Sequence, residues 1–202
     1  MYRMQRAAAF AALVLSSLFS AMTVQATSSS LAGSDLARGI FGLAWGEEPA
    51  AVQARYPQTL AAPAPSIHIM SLRGDLQFFG VRVKDGVANA MFDLSGKGLE
   101  RVLFAIDPSA HTALVARMSQ SLGTPRAFTS TNPAGSVHIF EWSDSCCGIS
   151  VSYFTKGASR DEPAIAAPTI TVQRGALAVS QIDQYRDVMR RVPQARPVKP
   201  RP

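Results

Sequence analysis

Cys146 and Cys147 are the two cysteines of the chain, and they are adjacent. Neighbouring sulfurs offer three chemistries. They can close a vicinal disulfide, an eight-membered ring that distorts the intervening peptide, presents a rigid apolar surface and reduces more readily than an ordinary bridge. They can hold a soft metal such as Cu(I) or Hg(II), for which thiolate is the preferred ligand. They can also be ordinary small residues of a turn, free or paired between chains. Residues 143–148 read as a hairpin loop, which predicts partly exposed thiols rather than core ones. His68 and Met70, at i and i+2 on one strand face, would join the pair in a metal site, with His138 on another strand as a further nitrogen ligand. The bland reading of a strand histidine is a hydrogen-bonded structural residue.

Trp45 and Trp142 each stand beside a turn. As core or rim residues they would simply fill space, as large aromatics do in small proteins. As exposed side chains, with Phe41 or Phe140, they would anchor a partner, since tryptophan is enriched at interface hot spots. Cys146, Cys147, Trp142 and Trp45 are therefore the candidate binding residues, and none is assigned a catalytic role. No Gly-x-Ser-x-Gly, Cys-x-x-Cys, His-Glu-x-x-His or phosphate-cradling glycine loop occurs in the sequence. Glu47-Glu48 and Asp161-Glu162 are adjacent carboxylates, but side chains at i and i+1 do not face each other on a helix. They read as a helix first turn and a solvated loop, and no pattern calls for a cofactor.

The elements that must position these residues are legible from spacing. Glu47, Glu48 and Pro49, followed by Val52 and Tyr56 one turn apart, predict a short helix over 47–56 that Pro57 ends. Pro63 and Pro65 mark a loop. Strands are predicted over 67–72, 76–83 and 99–106, with Asp85-Gly86 as a tight hairpin turn leading to a returning strand that carries Ala88, Ala90, Phe92 and Leu94 on one face. Asp107-Pro108 supplies an N-cap and an N1 proline for a helix over 108–122, whose Leu114, Met118 and Leu122 recur at four-residue spacing before Gly123. A second hairpin (137–142 and 149–154), a strand at 169–173 and a final helix capped by Ser180 complete the pattern. The fold class is α+β: an antiparallel β-meander sheet with helices on one face.

The ends are unlike the middle. Arg3 and Arg6 precede an apolar run from Ala7 to Phe19 and a small-x-small site at Val24–Ala26, the order of a secretory signal peptide cleaved after Ala26. The run is short for a membrane span of about 20 residues. The expected organisation is a leader over 1–26, a flexible lead-in over 27–38, one domain over 39–191 and a Pro/Arg-rich tail over 192–202. The net charge of +6 belongs to those ends: from Thr27 to Tyr185 the chain carries twelve basic and thirteen acidic residues. A near-neutral body excludes a nucleic-acid-binding face, leaving the tail as the part that would touch anionic surfaces. No transmembrane segment is expected in the mature chain.

A short helix introduced by Phe41-Gly42-Leu43-Ala44-Trp45-Gly46, a meander, a helix ending in Leu122-Gly123-Thr124-Pro125 and a Trp142-Ser143-Asp144 hairpin together resemble small exported α+β proteins. The order is similar to the modules of the outer-membrane assembly lipoprotein BamE and of the β-lactamase inhibitor proteins. The resemblance implies a binding module without catalysis. The expected function is thus an exported, periplasmic or secreted, non-enzymatic binding module whose partner is an envelope protein or a small ligand. The alternatives are a periplasmic metal- or redox-responsive protein using the cysteine pair, and a hydrolase without a recognisable motif.

Overall fold

Residues that alternate in polarity build the sheet around which this molecule is organised. The computed structural model describes residues 31–58, 60–61, 69–93, 98–132, 135–156, 166–177 and 180–191. The stretch read as a leader with its cleavage site, the loop read at Pro63 and Pro65, His68, Leu94, Asp161-Glu162 and the stretch read as a tail lie outside the described residues.

Two 3-10 turns (Leu31–Gly33 and Asp35–Ala37) lead into a hairpin of β1 (Gly39–Ile40) and β2 (Leu43–Ala44), then α1 (Pro49–Arg55). A first meander follows: β3 (Leu60–Ala61), β4 (Ile69–Arg73), β5 (Gln77–Phe78), β6 (Val81–Phe92) and β7 (Leu99–Ile106). After a 3-10 turn (Pro108–Ala110) and α2 (His111–Leu122), a second meander comprises β8 (Arg126–Asn132), β9 (Gly135–Ser143), β10 (Cys147–Lys156) and β11 (Thr169–Arg174), and α3 (Gln181–Arg191) ends the described chain. The main sheet runs β3-β4-β6-β7-β11-β10-β9-β8, with β5 paired to β6. Its neighbours are antiparallel throughout. Each half is a helix followed by a meander, and the halves meet where their last strands pair, Val102 opposite Val172 and Phe104 opposite Ile170. The chain thus repeats in topology without repeating in sequence. The α+β class and the antiparallel meander agree with the sequence reading.

One face of the sheet carries the main core. Leu72, Ala88, Val102, Ile149 and Val172 are fully buried there, under Leu114 and Met118 of α2 and Val52 of α1. The α2 stripe lies where its four-residue spacing puts it. Its entry is also as read: Asp107 Oδ1 accepts the Ser109 backbone N–H at 2.8 Å, and Pro108 opens the turn. The third helix departs from the one-face arrangement. Ser180 Oγ accepts the Asp183 N–H at 3.1 Å as its cap, but α3 lies across the reverse face. The buried Glu141 side chain there accepts from Ile182 N at 3.2 Å and Ser180 Oγ at 2.7 Å. Ile182 is fully buried on that side, outside the main core cluster. Burying one such side chain contributes about 2 kcal/mol, enough to hold a short amphipathic helix against the sheet.

Two further expectations change. Residues 31–38, read as flexible lead-in, pack on the body: Leu31 and Leu36 are buried, and Ala32 N–H donates to Asp144 Oδ2 at 2.9 Å. Asp85-Gly86 does not reverse the chain. Both residues have positive φ, but they form a bulge inside β6, where the register to β7 shifts between Val83 and Ala88. Gly86 is required there because a Cβ would stand 2.4 Å from the Gly74 carbonyl oxygen. The reversal occurs instead at Phe79-Gly80, between Phe78 and its partner Val81.

Candidate functional site

The cysteine pair sits at the β9–β10 turn. Because β9 runs through Ser143 and β10 begins at Cys147, the connecting loop is only Asp144, Ser145 and Cys146. Asp144 organises it. Its Oδ1 accepts the backbone N–H groups of Cys146 at 2.8 Å and Cys147 at 3.3 Å, while Oδ2 holds Ala32. Burial would raise the carboxyl pKa, but the hydrogen bonds from the Cys146 thiol and from the Cys146, Cys147 and Ala32 N–H groups prevail and lower it to about 2. The two sulfurs are unbonded and 2.8 Å apart.

The expectation of two partly exposed thiols is corrected for one of them. Cys146 is half-buried, whereas Cys147 is the first residue of a strand that faces the core and is completely buried. Burial pushes both thiols up, and for Cys146 the hydrogen bond to Asp144 adds to the effect. Protonated thiols are poor nucleophiles and poor metal ligands at neutral pH. Cys146 Sγ, Cys147 Sγ and an Asp144 oxygen do lie within 4.8 Å of one another, a spacing that fits one soft cation. Such an ion would have to displace both thiol protons and compete with the N–H groups already on Asp144.

The described members of the wider metal set, Met70 and His138, are not brought to the pair. Met70 is buried in the core on β4, four strand spacings from β10 in the sheet, or about 19 Å. His138, on β9, is one spacing further from β4. Its ring is bracketed by Thr129 Oγ1 at 3.2 Å and Thr155 Oγ1 at 3.4 Å and stacks on Tyr153 with centroids 4.7 Å apart. Burial and the neighbouring His111 lower its pKa, so it is a neutral, hydrogen-bonded strand residue. Trp142 is likewise structural: it is buried, and its Nε1 donates to the Gly123 carbonyl at 2.8 Å, closing the C-terminus of α2.

Trp45 is the tryptophan that meets the cysteine loop. It is half-buried and lines a cleft of about 430 Å³ with Arg38, Ser145, Cys146, Arg174 and Gly175, besides Ala37. Its indole N–H is already committed to the Leu36 carbonyl at 2.7 Å, so the ring offers the cleft a flat wall rather than a donor. The Arg174 guanidinium reaches Gly46, where a Cβ would meet Nη1 at 3.4 Å, an ordinary contact. Among the described residues the lining contains two guanidinium groups and no carboxylate.

A larger cavity, of about 680 Å³, opens on the other flank of the segment 35–40. Its floor is Leu36, Ile40, Leu43, Phe78 and Leu122, all buried. Two phenylalanines at hairpin tips complete it. Phe41-Gly42 joins β1 to β2 and Phe79-Gly80 joins β5 to β6, each with positive φ at both residues (54° and 73°; 49° and 69°). These are type I′ turns, which prefer Asn, Asp or Gly at the position that phenylalanine occupies here. A bulky side chain in left-handed backbone costs roughly 1 kcal/mol or more and persists only where surrounding contacts impose it. Here they do. Tyr56, at the end of α1, donates its hydroxyl to the Phe41 carbonyl at 2.6 Å, and Arg117 of α2 donates Nη1 to the Phe79 carbonyl at 3.1 Å. Phe104 of β7 meets Phe41 and Phe78 edge-on, with centroids 5.2 and 5.1 Å away.

Arg38 lies on the wall of both cavities. Of the sequence candidates, then, Trp45 and Cys146 come together in a site, Trp142 and Cys147 belong to the core, and Met70 is remote. Arg38, Arg174 and the phenylalanine cavity were missed. The signal available was the Phe-Gly dipeptide, which occurs twice in a turn position unsuited to phenylalanine. No protein-family model, no curated protein and no solved structure matches this chain, so the functional reading rests on this geometry.

Proposed function

We propose that this protein is an exported, non-enzymatic binding module of the bacterial envelope whose occupant is a small ligand with an apolar body. The observation that carries the reading is the phenylalanine cavity, with two strained aromatic tips each fixed by a hydrogen bond from a different helix. A cavity of about 680 Å³ is within the common range for small-molecule sites, and a pre-shaped apolar lining favours binding because little ordering cost remains. Among its described lining residues, Asp35 and Arg38 are the charged ones, and they pair with each other. Among the described lining residues no nucleophile is seen hydrogen-bonded to a base, Ser34 Oγ donating instead to the Leu31 carbonyl. The order of charged, apolar and small residues at the N-terminus supports export.

Titration of the mature protein with the neutral dye N-phenyl-1-naphthylamine tests the reading. Saturable one-to-one enhancement that falls at least tenfold in affinity in Phe79→Gly is expected. Glycine adopts this backbone without strain, so the variant keeps its fold. Absence of saturable binding, or binding indifferent to Phe41→Gly and Phe79→Gly, overturns it.

A redox-responsive role for the cysteine pair is the second reading, favoured by the 2.8 Å approach of the two sulfurs. Oxidation by a disulfide such as oxidised glutathione would lower the intact mass by two hydrogens while the oxidant is reduced to two thiols. A mass unchanged after prolonged exposure would remove this reading.

A further inference from the structure

We infer that the ligand is an anionic amphiphile, with its hydrocarbon body in the phenylalanine cavity and its carboxylate-like head in the Trp45 cleft against Arg174 and Arg38. This rests on the proposed binding function and names the ligand class of that site.

The two cavities are chemically unlike and meet at one residue. The larger is floored by aliphatic and aromatic side chains, while the smaller is lined, among the described residues, by two guanidinium groups and no acid. Arg38 belongs to both walls, so an occupant of the apolar side has a cation within its lining. Arg174 makes no ion pair among the described residues, which leaves its charge uncompensated at the cleft. Arg38 is paired with Asp35, but their side chains are 84% and 93% exposed. So exposed a pair is only weakly held in water, and Arg38 can exchange Asp35 for an incoming anion at small cost. Guanidinium is also the side chain that grips a carboxylate with two parallel hydrogen bonds.

The rest of the cleft suits the same occupant. Trp45 has no N–H to give, because Leu36 holds it, and so supplies apolar contact to the first carbons beyond the head. Cys146 faces the cleft as a neutral thiol, its ionisation opposed by burial and by Asp144, so it adds no negative charge to repel an anion. Asp144 turns its oxygens to Ala32, Cys146 and Cys147. A cationic amphiphile would meet two guanidinium groups, and a neutral one would leave Arg174 unanswered.

Trp45 makes the site self-reporting, since Trp142 is buried in the core. The mature protein is titrated, below micelle concentrations, with decanoate, decanol and decyltrimethylammonium while tryptophan emission and thermal midpoint are followed. Decanoate is expected to bind at least tenfold more tightly than decanol, and the ammonium more weakly than either. Arg174→Glu should abolish that preference, with decanoate losing at least tenfold relative to decanol. Should Arg174→Glu fail to fold, the wild-type preference must still shrink on going from about 0.05 to 0.5 M salt, as a screened head-group contact requires. Equal binding of decanoate and decanol, unmoved by Arg174→Glu and by salt, overturns the anionic head and leaves the apolar cavity standing. Failure of all three probes overturns the cavity reading and this inference with it. Co-sedimentation with phosphatidylglycerol vesicles and no binding of monomeric decanoate assigns the cations to a membrane surface and also overturns it.

Discussion

The cysteine loop and the two Phe-Gly turns flank the same N-terminal segment and treat their polar backbone in opposite ways. In the loop, one carboxylate gathers three backbone N–H groups, and the tight turn is satisfied from within. In the Phe-Gly turns the backbone is strained, and side chains reach in from α1 and α2 to hold it. The loop is built for stability and the turns for shape. Cys147, half of the most reactive-looking group in the chain, is thereby part of the scaffold, while chemically inert phenylalanines line the cavity proposed to bind.

This contrast can be broken by removing one feature at a time. The largest stability effect is expected for Asp144→Ala, which strips the acceptor from three N–H groups. At about 1 kcal/mol for each lost bond, partly recovered by water, urea denaturation should show a loss of about 2–3 kcal/mol; a loss under 0.5 kcal/mol would show that the loop holds itself. Phe41→Gly should instead change stability by less than about 1 kcal/mol, since relief of backbone strain offsets lost packing, while dye affinity falls about tenfold. A large stability loss without an affinity change would reverse the roles assigned to the two regions.

Thiol chemistry gives a sharper, slower test. Because burial raises both thiol pKa values and Cys147 is fully covered, alkylation by iodoacetamide at pH 7 should modify Cys146 at least about tenfold more slowly than free cysteine and should spare Cys147. Peptide mass mapping of the native and urea-unfolded protein measures this directly. Equal labelling of both in the native state would place the pair at the surface.

The smallest effect is on acid stability. Hydrogen bonds hold the Asp144 carboxyl at a pKa of about 2 in the folded protein, against 3.8 for a free aspartate. Its contribution is therefore complete above about pH 4 and is lost as pH falls through about 2. Partial solvent access limits the amplitude to about 1–2 kcal/mol. Asp144→Asn should flatten the stability profile between those limits, and an unchanged slope would show that the carboxylate charge is immaterial.

How far the sequence reached depends on whether neighbours along the chain or partners across the fold decide an element. Helix α2 was legible because its cap, its stripe and its stop lie within one stretch, from Asp107 to Gly123. Strand β8 was not. Phe128 is its one large apolar residue and packs on the reverse face against Tyr185, with centroids 5.6 Å apart, so its pattern shows no core-facing alternation. Asp85-Gly86 was misread as the turn, and the strand read over 76–83 ran through the actual reversal at Phe79-Gly80, where positive φ also occurs. Turn preference favours the aspartate, yet the close approach of Gly74 to Gly86 makes that site a bulge. Trp45 and Cys146 could be nominated from residue type. Arg174 could not, because it is brought to them by the pairing of β10 with β11, Cys147 opposite Arg174.

The pairing of β7 with β11 also sets an order of events. β7 closes the first half of the chain, but its second neighbour is the last strand to be made. A chain delivered from its N-terminus, by ribosome or by export, therefore carries an open strand edge through the making of the whole second meander. Such an edge is a template for pairing with another chain. The slow, non-local joining of the halves is then the step at which aggregation competes with folding. A holdase bound to the β7 edge would protect this protein most, and its release would be timed by the arrival of β11.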